Sequence, residues 1–330
     1  MAPGCRLAIA VLLAVLLVMS PVFAHVPLFA EDGSSPESAF VIEDPAKSWV
    51  VYDGLPDGPA VRYYQFRMEE GERIYATLQV PRAGGFVPGM VLAGPGFQSQ
   101  GTVPEYVGVP EGDGAMAVPG ELPKQPEYEP FTPSKLYPLA RVDMPAPAAG
   151  DYTLAVYTSE EGGNYALALG FVESYTLGEW VRVPFDVVAI HRHEGQPLLL
   201  IFAPMIAVLA IGTVLLLRRL RALSLFALAG ATAGLLFIGS GAMTLMQMAI
   251  AAVGTDPGAA ILLTLVFALI AILLGVLALR VAFRKKVGTG ERLVMVVLGA
   301  LALVTWAGLV IGPVLAFIAA IVPVRHRRPP

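Results

Sequence analysis

Four histidines occur among the 330 residues, and three of them, His25, His191 and His193, lie in the polar part of the chain. His191 and His193 stand one residue apart in AIHRHEGQPLLLIF (189–202), where a polar segment gives way to an apolar one. Imidazole suits copper, and on a strand residues i and i+2 share one face. Cleavage after Ala24 would make His25 the first residue and set an amine beside its ring. GAMTLMQM (241–248) adds Met243, Met246 and Met248, soft ligands for Cu(I), inside an apolar run. Copper handling by these six residues is one expectation. The favoured one requires no special geometry. It reads YTLGEWVRVPFDVVAIHRHEGQ (175–196) as a membrane collar, with Tyr175 and Trp180 at the interface and Arg182 and Arg192 against lipid headgroups.

Other chemistry is poorly supplied. A Ser-His-Asp site needs a histidine beside a nucleophile and an oxyanion hole, and no G-x-S-x-G elbow occurs. Glu69-Glu70 and Glu160-Glu161 fall in expected turns, where solvation explains them. No P-loop or dinucleotide fingerprint is present. Cys5 is the only cysteine, so disulfides within the chain and cysteine-based metal or redox centres are excluded. Without a small-apolar box before it, Cys5 is not a lipidation site. The expectation is a protein that is not an enzyme and carries no cofactor.

The elements that must position these residues follow from an uneven distribution of charge. Residues 25–196 hold 24 acidic and 10 basic residues, whereas residues 197–330 hold 2 and 11. The acidic half offers nothing to neutralise phosphates, which argues against nucleic acid as a partner. Residues 1–24 place Arg6 before an apolar stretch and end in Val22-Phe23-Ala24, the pattern of a secretory signal peptide. An uncleaved signal anchor is the alternative, and both export the acidic segment.

Four apolar runs follow, at about 197–217, 222–253, 259–283 and 293–323, each reaching the ~20 residues a helix needs to cross a bilayer. The links RRLRA (218–222) and RVAFRKKVGTGER (280–292) are basic, and the positive-inside rule assigns them to the cytoplasm. Four spans would then leave the basic tail 324–330 outside, against that rule. A reversal at Gly312-Pro313 would avoid the conflict, but four transmembrane helices are the simpler expectation. No acidic or basic residue lies deep in any run, which argues against an ion pump or proton-coupled carrier. Gly230, Ala233, Gly234, Gly239 and Gly241 suit close helix packing.

After a lead-in, 25–47, residues 48–174 alternate as strands do. VRYYQFRM and RIYATLQV flank a turn at Gly71, and YTLAVYT and YALALGFV flank a Gly-rich hairpin turn. Between them the Pro- and Gly-rich segment 96–138 reads as a long loop without regular structure. Its aromatics Phe97, Tyr106, Tyr128, Phe131 and Tyr137 either line a ligand groove or pin the loop to the sandwich.

AVRYYQFRMEEGERIYATLQV, PGMVLAGPG and VDMPAPAAGDYTLAVYTSEEGGNYALALG together resemble the bacterial pre-peptidase C-terminal domain. Tyr64, Phe66, Gly71, Pro95, Gly96, Pro147, Gly150, Tyr152 and Tyr165 hold the matching places. The resemblance covers roughly 48–172 and implies a jelly-roll-like β-sandwich with an accessory rather than catalytic role. Family members often carry aspartates, and a cation, before the third strand; GGFVPGMVL stands there instead, so calcium binding is not carried over. The whole chain also resembles membrane proteins of methanogenic archaea, which implies no function. The combined expectation is an exported all-β sandwich followed by an α-helical transmembrane bundle. It would sit multi-pass in the cell membrane, in contact with lipids, and bind a protein partner or ligand as an accessory subunit of a membrane or envelope complex.

Overall fold

The computed structural model describes residues 25–30, 32–217 and 224–323. The signal peptide (1–24), the basic link at 218–222 and the tail (324–330) lie outside the described residues.

Eleven strands form two sheets: β1 (Val26–Phe29), β2 (Phe40–Val41), β3 (Trp49–Leu55), β4 (Ala60–Met68), β5 (Arg73–Val80), β6 (Gly89–Gly94), β7 (Gly114–Val118), β8 (Glu127–Glu129), β9 (Ser134–Pro145), β10 (Gly150–Thr158) and β11 (Gly163–Leu169). One sheet runs β1-β3-β11-β5-β9-β8 and the other β2-β4-β10-β6-β7. β1 pairs with β3 and β2 with β4 in parallel; the remaining pairs are antiparallel. Alternate residues of both sheets meet in one core around Tyr64, Leu78, Leu92, Tyr152, Leu154, Tyr165 and Leu167. Each tyrosine takes a polar partner with it, as buried hydroxyls must. Tyr64 and Tyr165 join hydroxyls at 2.5 Å, Tyr64 also donates to Asp53 at 2.9 Å, and Tyr152 donates to the Ala148 carbonyl at 2.7 Å. Tyr152 fits only because residue 94 is glycine: a Cβ there would stand 2.4 Å from its ring. Gly71 makes its turn at φ +82, where a side chain would be strained.

The expected structureless loop 96–138 is corrected. It contains β7, which pairs with β6, then β8 and the first residues of β9. The small and apolar side chains of GAMAV let β7 extend the second sheet, with Ala115 buried.

Six helices follow: α1 (Leu177–His193), α2 (Leu198–Leu217), α3 (Leu225–Ala252), α4 (Ala260–Ala282), α5 (Thr289–Val304) and α6 (Ile311–Ile321). The collar is therefore largely helix. Thr176-Leu-Gly-Glu179 is a capping box: the Glu179 amide donates to the Thr176 hydroxyl at 3.2 Å, and the Thr176 amide donates to the Glu179 carboxylate at 2.7 Å. Pro184 lies inside α1 and cannot supply the amide that the Trp180 carbonyl would otherwise bond. The Trp306 indole N–H fills that place at 3.0 Å.

Among the described residues, three helices are long and apolar enough to cross a membrane: Leu198–Leu216, Leu225–Ala252 and Ala260–Ala282. The expected fourth span is corrected. The run 293–323 divides into α5 and α6 around a break at 305–310, where Trp306, Gly308, Leu309 and Val310 all have positive φ. At 1.5 Å per residue neither piece reaches the ~30 Å of a hydrocarbon core. The two lie antiparallel. The Arg292 guanidinium at the start of α5 donates to the Ala320 carbonyl at 2.5 Å and the Val322 carbonyl at 2.9 Å, capping the end of α6. The break precedes Gly312-Pro313, and Pro313 sits in the first turn of α6, where its missing amide has no helical partner to lose.

The small residues of α3 do the packing expected of them. Gly234 of α3 and Gly275 of α4 meet backbone to backbone: a Cβ on Gly275 would stand 2.5 Å from the Gly234 carbonyl oxygen.

Candidate functional site

The sandwich is bolted to the bundle at several points. The turn between β8 and β9 reaches the start of α4. There Thr264 donates to the Pro130 carbonyl at 2.6 Å, so the Tyr128 hydroxyl, 2.8 Å away, donates to Thr264. Lys47, buried beside Trp49, bonds the Glu179 carboxylate at 2.7 Å. The Asn164 amide donates to the His193 carbonyl at 2.5 Å, and the Tyr175 hydroxyl to the His25 carbonyl at 2.7 Å. Gln196 and Gln247 exchange amide hydrogen bonds at 2.9 and 2.8 Å, fixing the α1–α2 turn against the end of α3.

These contacts border a partly open cavity of about 300 Å³. Its roof is the outer face of the first sheet, with Val50, Tyr52, Ala166 and Ala168, and His25 beside them. One wall is the β8–β9 turn and the other is α1, through Val183, Pro184, Val187, Ile190 and His191. The floor is Met243, Thr244 and Gln247 of α3, Phe267 and Ala271 of α4, and Trp306 at the α5–α6 break.

Carboxylates supply the cavity's charge. Glu127, Glu129, Asp186 and Glu194 line it, and among the described lining residues there is no lysine or arginine. Glu129 shapes the turn by accepting from the amides of Phe131 at 3.0 Å and Thr132 at 2.5 Å. Burial pushes its carboxyl up from the usual range, against the pull of those two bonds. Burial likewise raises Asp186. Burial, with Glu194 and Glu129 nearby, holds the Tyr52 phenol well above its ordinary value. Glu194 accepts from His191 Nδ1 at 2.9 Å, which leaves Nε2 as the ring's other polar atom. His191 is 1% exposed, and among the described residues its Nε2 has no hydrogen-bond partner; the buried Ser134 hydroxyl has none either.

The histidines expected as a copper set are not brought together. His191 and His193 lie on a helix, where residues two apart point to different sides. His191 faces the cavity, whereas His193 turns to the sandwich, donating from Nε2 to the Tyr165 carbonyl at 3.0 Å with Tyr52 against its ring edge. His25 lines the cavity, but its Nδ1 is bonded to the Ser48 hydroxyl. Burial lowers the pKa of both His25 and His193. Of the methionines only Met243 lines the cavity; Met246 and Met248 do not. Among the described residues, no three His, Cys, Asp or Glu side chains are grouped to hold a metal ion.

The five loop aromatics also separate. Phe97 packs edge-on against Tyr152, and Tyr137 packs on the sandwich core. Tyr106 pins its loop by donating to the Thr158 carbonyl at 2.9 Å. Tyr128 and Phe131 reach the cavity. In the collar, Tyr175 and Trp180 pack together and Trp180 lies 4.4 Å from Trp306, while Arg182 and Arg192 face outward. Glu129, Glu194 and Tyr52 escaped the sequence reading. Nothing in EYEPFT marks Glu129 as buried, and the pairing of His191 with Glu194 shows only once the segment is known to be helical.

Comparison with protein-family models and with curated proteins finds no match for this chain.

Proposed function

We propose that this protein is a membrane-anchored binding protein that is not an enzyme, and that its ligand site is the cavity between sandwich and bundle. The observation that carries this reading is the cavity itself: sandwich, collar and bundle all line one space, and its lining includes His191 and Ser134, whose buried polar atoms have no partner among the described residues. Small-molecule sites have this build, mostly apolar with a few convergent polar groups. In this reading residues 25–196 face the extracytoplasmic side of the cell membrane. α2 and α4 run inward and α3 outward, and the α5–α6 hairpin enters from the cytoplasm and returns there. The basic link 280–292 and the three arginines of the tail then share one side, which meets the positive-inside rule. The accessory role implied by the resemblance to the pre-peptidase C-terminal domain fits such a module, with ligand occupancy passed to a protein partner in the membrane or envelope.

The test is native mass spectrometry of the full chain released from its own membranes in mild detergent, beside an Ala168→Trp variant that fills the roof. The expected result is a bound small molecule on the native chain that is lost from the variant. A native chain that carries none, or an equal load on both proteins, refutes the reading.

A further inference from the structure

We propose that the cavity selects a small organic cation, an alkyl- or arylammonium that still carries an N–H. This deepens the preceding reading and rests on it. Three observations converge. First, His191 Nε2 is buried at the cavity wall without a partner. Its Nδ1 is bonded to the Glu194 carboxylate at 2.9 Å, which leaves Nε2 as the ring's unsatisfied polar atom. Second, the lining has four acidic residues and no lysine or arginine; Glu127 is exposed and Asp186 reaches Arg182 at 3.7 Å, which leaves Glu129 and Glu194. A buried carboxylate without a counter-charge is costly. Glu129 and Glu194 have only His191 between them, and burial has already moved Glu129 toward its protonated form. An ammonium supplies the positive charge that the lining lacks, with N–H donors for its carboxylates. An anionic head would meet like charge, and a neutral alcohol would leave the charge uncompensated. Third, the remaining surface suits the rest of such a molecule. Tyr52 and Phe131 offer aromatic contact to a cation or to an aryl body, and Val187, Phe267 and Ala271 offer apolar contact. The volume, about 300 Å³, lies at the lower end of small-ligand sites and limits the occupant to a compact molecule.

The experiment uses the full chain in lipid nanodiscs and three probes that differ only in the head group: 2-phenylethylamine, 2-phenylethanol and phenylacetate. Affinities are read by calorimetry at neutral pH. The amine is expected to bind about tenfold or more tightly than the alcohol, as one desolvated charge interaction would give, and the acid not at all. Glu129→Gln and Glu194→Gln are each expected to weaken the amine about tenfold while leaving the alcohol within about twofold. Circular dichroism and the melting midpoint of each variant identify any that fails to fold, and the remaining carboxamide variant then carries the comparison. Equal binding of amine and alcohol, or amine binding indifferent to both carboxamide changes, overturns the cation proposal but leaves a ligand cavity in place. Binding of none of the three to a folded native chain overturns the cation proposal, whereas the mass-spectrometric comparison with Ala168→Trp judges the cavity reading separately.

Discussion

If the β8–β9 turn is held on the bundle by Thr264, then Thr264→Val should release it without disturbing the sandwich. Valine keeps the shape of threonine and removes only the hydroxyl. Two hydrogen bonds go with it, the 2.6 Å bond to the Pro130 carbonyl and the 2.8 Å bond from Tyr128. Thr264 is 1% exposed, so its bonds are made away from water. Pro130 and Tyr128 are only partly buried, and water recovers part of the loss once the turn moves. At about 1 kcal/mol net per bond, the turn should lose about 2 kcal/mol of protection, which raises its open population about thirtyfold. The amides of Phe131 and Thr132 report this directly, because both are held by Glu129 only while the turn is intact. Hydrogen exchange followed by mass spectrometry in nanodiscs should therefore show a roughly thirtyfold acceleration at 130–133. Peptides of β10 should be unchanged. Tyr128→Phe alone should cost about half as much, and the double variant should match Thr264→Val, a coupling of about 1 kcal/mol. Exchange in Thr264→Val within about twofold of native, or additive single effects, would show that the turn is held elsewhere.

Three further outcomes follow from the same structure. Gly275→Ala should cost about 1–3 kcal/mol in a detergent melt, because its Cβ meets backbone of α3 that cannot rotate away. Gly290→Ala, with nothing within 4 Å, should instead be neutral or stabilising by up to ~1 kcal/mol. Burial depresses the pKa of His193 below its ordinary 6.5, so its contribution is present above pH 6.5 and lost as pH falls through the lowered value. The melting midpoint should therefore drop on acidification below pH 6.5, and His193→Gln should flatten that drop; an unchanged slope would remove His193 from the cause. Single cysteines at 286 and 323, in a Cys5→Ser background, should react with an impermeant maleimide from the same side of sealed vesicles. Reaction from opposite sides would restore a fourth span.

The two-part architecture was legible because its signals are local and repeated. Alternation in VRYYQFRM and RIYATLQV dictates β4 and β5, and runs of twenty or more apolar residues dictate α2, α3 and α4. Two failures came from features that compete with those signals. GAMAV is too short and too poor in β-branched residues to announce β7, and only the open edge of β6 makes it a strand. Residues 293–323 are apolar throughout, so hydropathy cannot show the break; positive φ at Trp306, Leu309 and Val310 has no composition mark. The helix within the collar was hidden for a different reason. Its capping box was readable at Thr176 and Glu179, but Pro184 argues against a helix, and the partner that makes Pro184 tolerable is an indole 122 positions further on, counting to Trp306. The cavity was the least legible feature, because its walls come from β3, the β8–β9 turn, α1, α3, α4 and the break after α5, and no short motif spans them.

The break after α5 ties cavity and bundle together energetically. Three residues other than glycine in positive φ cost about 1–3 kcal/mol each, so such a tip persists only where its surroundings fix it. Here the Gly308 amide donates to the Ser240 hydroxyl of α3 at 2.8 Å, and the Trp306 indole donates to the carbonyl that Pro184 leaves open. Trp306 is also wedged between Trp180 and Phe267. Ser240, Phe267 and Trp306 all line the cavity. The contacts that hold the strained tip in place are thus the same ones an occupant would press on. That tip turns α6 back along α5, so an occupant that shifted Trp306 would act on the same hairpin that the Arg292 cap closes at its far end. Coupling of this kind is reciprocal, so a substitution that loosens the Arg292 cap should change ligand affinity from the opposite end of the hairpin.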